Sequence, residues 1–236
     1  MTHREKQGKD HLIASPSTLS ARAAISDDMD IQNAKNIIFE AGLKDVPFDG
    51  WTEVAAAKAA VRAGLSEGEQ ALAAPNGVPD LIDAFFERAG QTARESLAAQ
   101  DISALKTPAR VKAGVRAWLA ALEPDREAVR RAAVRGLLPW GAASAVQRTW
   151  RVADMVWEEA GDTSEDYNRY SKRGLLAAVI PPIVMYWLDQ PSDEQLDTYI
   201  DRRLSLASGI GRNLGRIAKP LLDVLPVSRP NRSTKA

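Results

Sequence analysis

Residues 60–74, AVRAGLSEGEQALAA, read as a helix, a glycine turn and a second helix. Gly64 is the stop, since glycine takes the left-handed conformation that ends helices without a Cβ penalty. Ser66 followed three residues later by Glu69 is a capping-box pattern. Pro75-Asn76-Gly77 breaks the second helix. Many DNA-binding modules begin with this shape, in which the second helix lies in the major groove. Phosphate neutralisation supplies much of such binding and calls for lysine and arginine. Here the second helix carries Glu67 and Glu69 and no base, and Gly68 weakens it. Only Gln70 suits a base edge. The shape is present, but DNA is not the expected partner.

Working outward, apolar periodicity at spacings of three and four recurs along the chain. It gives Ile31 to Ala41, Trp51 to Ala63, Val78 to about Ala99, a helix opened by Thr107-Pro108, and another from Pro124 to near Pro139. Gly141 to Ala160 follows and stops at Gly161. Asp162 with Glu165 resembles a capping box for a helix to about Leu188, with a kink or break at Pro181-Pro182. Ser192 with Gln195 caps the next, and a last pattern runs from about Leu204 to Leu225. The expected fold is all-α, about ten helices without a convincing strand. The expected organisation is a disordered segment 1–29, a helix-turn-helix-like module 30–76, a helical bundle 77–203, and an amphipathic C-terminal segment 204–236.

Composition bounds the chemistry. The 236 residues are 45% hydrophobic and include no cysteine, so thiol catalysis and zinc-thiolate sites are excluded. The only histidines are His3 and His11, in the polar head, so no histidine triad is expected in the core. No phosphate loop or dinucleotide fingerprint is present. An enzyme is not expected, and neither a cofactor nor a metal is implied. Glu158, Glu159, Asp162, Glu165 and Asp166 could hold a hard cation, but solvated helix caps account for them equally well. The first 30 residues mix acids with bases, and no targeting peptide is read there. The longest apolar run, Gly174 to Leu188, is 15 residues, short of the ~20 that a membrane-spanning helix needs.

Net charge is zero but unevenly placed. Arg202 to the end holds eight Lys/Arg and one acid, whereas Val152 to Asp201 holds eleven acids and three bases. On a helical wheel Leu206, Ile210, Leu214, Ile217 and Leu221 fall in one arc, with Arg212, Arg216 and Lys219 opposite. A basic face with an apolar stripe is the pattern of an interfacial membrane helix. Gly209, Gly211, Gly215 and Pro220 weaken it as an isolated helix. A helix closing the core, or a dimer helix, has the same pattern.

The spacing of Phe48-Asp49-Gly50-Trp51-Thr52, Arg62-Ala63-Gly64-Leu65-Ser66 and Val78-Pro79-Asp80-Leu81-Ile82 resembles that of the N-terminal module of TetR-type regulators. The more specific stretch is 157–176, WEEAGDTSEDYNRYSKRGLL. It is a helix end, an acidic cap and a helix start, with Tyr167 and Tyr170 on one face. A packed helix corner would look the same. Ala160-Gly161-Asp162, Ser164, Asp166, Tyr167, Asn168, Tyr170, Ser171, Lys172-Arg173 and Leu175-Leu176 resemble the motif of the ubiquinone-biosynthesis accessory family of lipid-binding proteins with a TetR-like fold. Trp187-Leu188 and Asp197 through Asp201-Arg202-Arg203 extend the resemblance. Arg169 stands where that family has tryptophan.

The resemblance implies a non-enzymatic protein, cytoplasmic and held peripherally at the inner membrane (on the matrix side in eukaryotic relatives). It implies an isoprenoid lipid or quinone precursor in an apolar interior, a pathway hydroxylase as partner, and a homodimer. Candidate pocket liners are Trp118, Trp140, Trp150, Trp157, Leu176, Val179 and Met185; simple core filling would bury the same residues. The family's partner patch maps onto Asp166, Asn168, Arg169, Tyr170 and Arg173. The C-terminal set Leu206 to Leu221 maps onto its membrane helix. The alternatives are a TetR-type transcriptional regulator with a small-molecule pocket, and a purely structural adaptor.

Overall fold

A computed structural model describes residues 31–136, 141–164 and 166–224, with side chains described up to residue 209 except at 166 and 167. The expected all-α class holds: no strand occurs among the described residues. The helices are α1 (31–43), α2 (Val46–Asp49), α3 (Glu53–Arg62), α4 (Glu67–Ala73), α5 (Val78–Ala98), α6 (Thr107–Leu122), α7 (Arg126–Gly136), α8 (Ala142–Glu159), α9 (Asp166–Leu188) and α10 (Asp193–Val224). A 3-10 turn, Glu123–Asp125, precedes α7.

The packing divides into two units. Of the described residues, the first holds 31–45 and Thr52–Ala84; the second holds Val46–Trp51 and those from Phe85 onward. The division falls inside α5, eight residues beyond the expected boundary at 76. It does so because Val78, Leu81 and Ile82 on the opening turns of α5 are core residues, 1–4% exposed.

In the first unit α3 turns its alanine face inward, burying Ala55, Ala56, Ala59 and Ala60. Small side chains there allow close approach: a Cβ on Gly42 of α1 would lie 3.0 Å from that of Ala59. The Gly64 turn is a Schellman cap. Gly64 has φ +75°, its N–H donates to Val61 O, and the Leu65 N–H donates to Ala60 O. The capping box on α4 is reciprocal, with Glu69 N donating to Ser66 Oγ at 3.3 Å and Ser66 N donating to Glu69 Oε2 at 2.8 Å. Arg62 is held internally, donating to Ala41 O and to Asp45 Oδ2, each at 2.7 Å.

In the second unit an aromatic row, Trp51, Phe85, Phe86 and Trp118, runs through the packing, with centroids 5.1–6.0 Å apart. The Trp51 indole donates to Ala128 O at 2.9 Å. Helices α6 and α8 meet closely at Gly114, where a Cβ would stand 3.0 Å from Val156 Cγ1. Lys112 and Arg116 on α6 pair with Asp201 and Asp193 on α10, both at 2.7 Å. Arg126 and Arg130 donate to Trp187 O and Leu188 O at the end of α9, where Trp187 O also accepts from the Gln190 N–H at 3.0 Å.

Two expectations need correction. Helix α9 is continuous across Pro181 and Pro182 rather than broken there. The prolines remove donors to the carbonyls of Ala177 and Ala178, at a cost of ~3 kcal/mol each relative to alanine in a helix interior. Buried Leu176, Ile180, Ile183 and Trp187 hold both sides of that turn in the core, and packing overrides local propensity. Likewise, no break separates 193–203 from the C-terminal pattern. Helix α10 starts at the reciprocal Ser192–Gln195 cap and runs as one helix to Val224. Leu196, Ile200 and Ala207 are its buried stripe, and Leu206 is half-exposed. The described side chains end before Ile210, Arg212, Leu214, Arg216, Ile217, Lys219 and Leu221, so that face lies outside the described residues. Residues 1–29 and Trp140 lie outside them as well.

Candidate functional site

An apolar cavity of about 270 Å³ opens within the second unit. Five helices supply its wall. Phe86 comes from α5 and Trp118 from α6; Val129, Ala132, Ala133 and Gly136 come from α7. Helix α8 adds Ala145, Val146, Arg148, Thr149 and Val152, and α9 adds Ile180, Pro181, Val184 and Met185. The space exists because alanine and glycine face it from α7 and α8, where larger side chains would close it. Val146 is 68% and Met185 52% exposed, so the lining reaches the surface as an apolar rim.

Polar groups in the wall are few. Thr149 Oγ1 donates back to Ala145 O at 2.6 Å, the usual resolution for a threonine inside a helix. The Trp118 indole N–H is buried with no acceptor among the described residues. Trp118 packs near-parallel to Phe86, with centroids 6.0 Å apart and 29° between planes.

Of the liners expected from the sequence, Trp118 and Met185 are in this wall. Trp150, Trp157, Leu176 and Val179 are not among its lining residues. Trp150 stacks on Tyr170 at 6.4 Å. Trp157 donates to Lys172 O at 3.2 Å and carries the Lys172 ammonium over its ring at 5.1 Å. Leu176 is a core residue and Val179 is half-buried. The missed liners Ala132, Ala133, Gly136 and Ala145 had one readable sign, a concentration of small residues on two successive helices.

The start of α9 forms a second feature. Tyr170 is 64% exposed, and Asn168 and Arg169 are exposed beside it. Arg169 reaches Asp154 Oδ1 at 3.5 Å. Arg173 differs from the expectation that grouped it with this surface. It is 3% exposed and pairs with Asp154 and with Asp162 Oδ2, the latter at 3.2 Å. It therefore stands behind the exposed patch and fixes it. Asp166 is on α9, with its side chain outside the described residues.

Asp162 also accepts from Lys172 Nζ at 2.7 Å and from Ser164 Oγ at 2.7 Å. Burial works against its charge, but the hydrogen bonds from Lys172 and Ser164, the Lys172 charge and Arg173 outweigh it. The carboxyl is held below its ordinary value. Burial likewise opposes the Arg173 charge, and Asp154 and Asp162 outweigh it, raising its pKa. The backbone presents Asp162 through a second Schellman cap. Gly161 has φ +77° and donates to Glu158 O, while Asp162 N donates to Trp157 O. The acids Glu158 and Glu159 face Arg94 at 3.5 Å. No group of three metal-ligating side chains occurs among the described residues, and no helix among them is long and apolar enough to cross a membrane.

Comparison with known proteins locates both features in one segment. The COQ9 family model matches residues 142–211. That span contains α8, α9 and the first part of α10, hence nine of the fifteen cavity liners and the whole Arg173 network. The chain is 26% identical to the human "Ubiquinone biosynthesis protein COQ9, mitochondrial" over 188 residues, covering 76% of this chain and 59% of that protein. It is 25% identical to the rat protein of the same name over 225 residues, covering 91% and 72%. It is 25% identical to the Dictyostelium discoideum "Probable ubiquinone biosynthesis protein coq9, mitochondrial", covering 71% and 57%. The match thus spans about three-fifths of the length of the human relative. The family that residues 157–176 resemble is the family these comparisons return: the chain is similar to the COQ9 proteins, and their family model matches it at 142–211.

Proposed function

We propose that this protein is a non-catalytic, lipid-binding accessory of ubiquinone biosynthesis that holds an isoprenoid quinone precursor and presents it to a hydroxylase of the pathway. The observation that carries the reading is the apolar cavity, most of whose wall falls in the COQ9 segment. Its 270 Å³ is close to the lower end of the ~300–1,000 Å³ of small-molecule sites. It suits a ring and the first part of an isoprenoid tail, with the rest leaving over Val146 and Met185. Burying such a ligand gains about 25 cal/mol per Å² of apolar surface removed from water.

In this reading the exposed Tyr170 patch, with Asn168 and Arg169, meets the hydroxylase. A rigid, exposed aromatic fits an interface anchor, and Arg173 with its two carboxylates makes it rigid. The segment 204–236 docks on the membrane, each base near an anionic leaflet adding about 1 kcal/mol. The protein works as a homodimer at the inner-membrane surface, on the cytoplasmic or matrix side. DNA is not its partner: the exposed acids of α4 and the internal engagement of Arg62 both oppose phosphate binding.

The test is a calorimetric titration with a short-chain isoprenoid benzoquinone, paired with DNA-cellulose retention at low salt. Saturable binding of the quinone in the micromolar range is expected, with no retention on DNA. Absence of quinone binding, with retention that falls steeply with salt, would establish the regulator reading instead.

A further inference from the structure

The mouth of the cavity is set apart by its charge. Two of its liners, Val146 on α8 and Met185 on α9, are largely in solvent. One turn earlier on each helix, Ala142 and Pro181 are exposed as well. No carboxylate lines the cavity, and Arg148 is the charged liner. The elements around the mouth continue the pattern. Residues 128–153, which hold most of α7 and the first part of α8, contain five arginines and no acid. Residues 174–188 of α9 contain no charged side chain. An even spread of the chain's 31 acids over 236 residues would place several in those two stretches. Arg130 and Arg131 pair with Glu127, and Arg151 with Glu87, through half-exposed side chains. Such pairs contribute little and leave the guanidiniums open to water.

We propose that this rim, Val146 and Met185 with the arginines around them, rests in the headgroup layer of an anionic bilayer, so that an isoprenoid enters the cavity from the leaflet without crossing water. An apolar surface set among basic side chains is the pattern of an interfacial contact. Charge decides against a second copy as the occupant, because a two-fold contact would place arginine against arginine. The hydroxylase contact of the proposed function falls at Tyr170, about 22 Å before Met185 along α9. The inference rests on the lipid-binding reading and adds to it a membrane contact on the folded bundle, separate from segment 204–236.

The chain has no cysteine, so Val146→Cys, Met185→Cys and Leu105→Cys each give one site for an environment-sensitive fluorophore. Leu105 is the reference. It is exposed, and Arg110 ties it to the opposite end of α8 by donating to both Leu105 O and Ala160 O. The labelled full-length chains are mixed with vesicles of equal parts phosphatidylcholine and phosphatidylglycerol that carry a nitroxide on the acyl chain. Quenching is expected to be several-fold stronger at 146 and 185 than at 105, and to weaken at high salt or in phosphatidylcholine alone. Equal quenching at the three positions, or none at 146 and 185, overturns the rim contact. Shielding of those two labels without vesicles, lost on dilution, overturns it in favour of a second copy. Quinone binding in solution with both rim labels left in water ends this inference and leaves the lipid reading standing; failure of both measurements ends both.

Discussion

Replacing Arg173 by alanine is expected to lower the unfolding free energy by about 3–5 kcal/mol. The guanidinium is 3% exposed and lies between Asp154 and Asp162, whose side chains are 31% and 5% exposed. Removing one member of a buried ion group leaves the others desolvated and uncompensated, and that cost exceeds the net worth of the pairs themselves. Lys172 still reaches Asp162, which places the expected value toward the lower end. For a chain of this size the melting temperature should fall by roughly 6–20 °C, at ~2–4 °C per kcal/mol. Thermal and urea unfolding would measure it, and a loss under 1 kcal/mol would show that the network contributes little.

The same group has a pH signature. The folded Asp162 carboxyl ionises below its ordinary value of 3.8. Its stabilisation is therefore complete above that pH and is lost as pH falls through the lower, folded value. Asp162→Asn should flatten the acid limb of the stability curve below about pH 4, while leaving the shape of the curve at neutral pH unchanged.

The second large effect concerns the cavity. Val184 lines it from α9 and is only half-buried, so Val184→Trp can fill the space at the usual overpacking cost of about 1–3 kcal/mol. Affinity for an isoprenoid quinone should fall by at least ~100-fold if the ring occupies the same volume, by the loss of most of its apolar burial. Val134→Trp is the control, on α7 but outside the lining and 60% exposed; it should bind as the wild type does. Unchanged affinity in Val184→Trp would move the ligand elsewhere.

What the sequence made legible was what short spacings determine. The Ser66–Glu69 and Ser192–Gln195 caps, and the stops at Gly64 and Gly161, each involve residues within a few positions of one another. Helix periods follow from the same local repeat. Long-range packing was less visible. It carries α9 through Pro181-Pro182, and it gathers the cavity wall from five helices, so that only Trp118 and Met185 of the liners expected from the sequence are found in it. It also sends Arg173 to Asp154, nineteen residues away, drawing inward a charge that looked like part of a surface. The one-turn helix Val46–Asp49 is too short for any periodicity to announce.

Mass spectrometry of lipids extracted from protein purified without detergent tests the central claim most directly. A host that makes ubiquinone should yield an isoprenoid quinone or its precursor, co-purified in near-stoichiometric amount with the wild type. Protein free of any such lipid, from a host whose membranes contain it, would contradict the account.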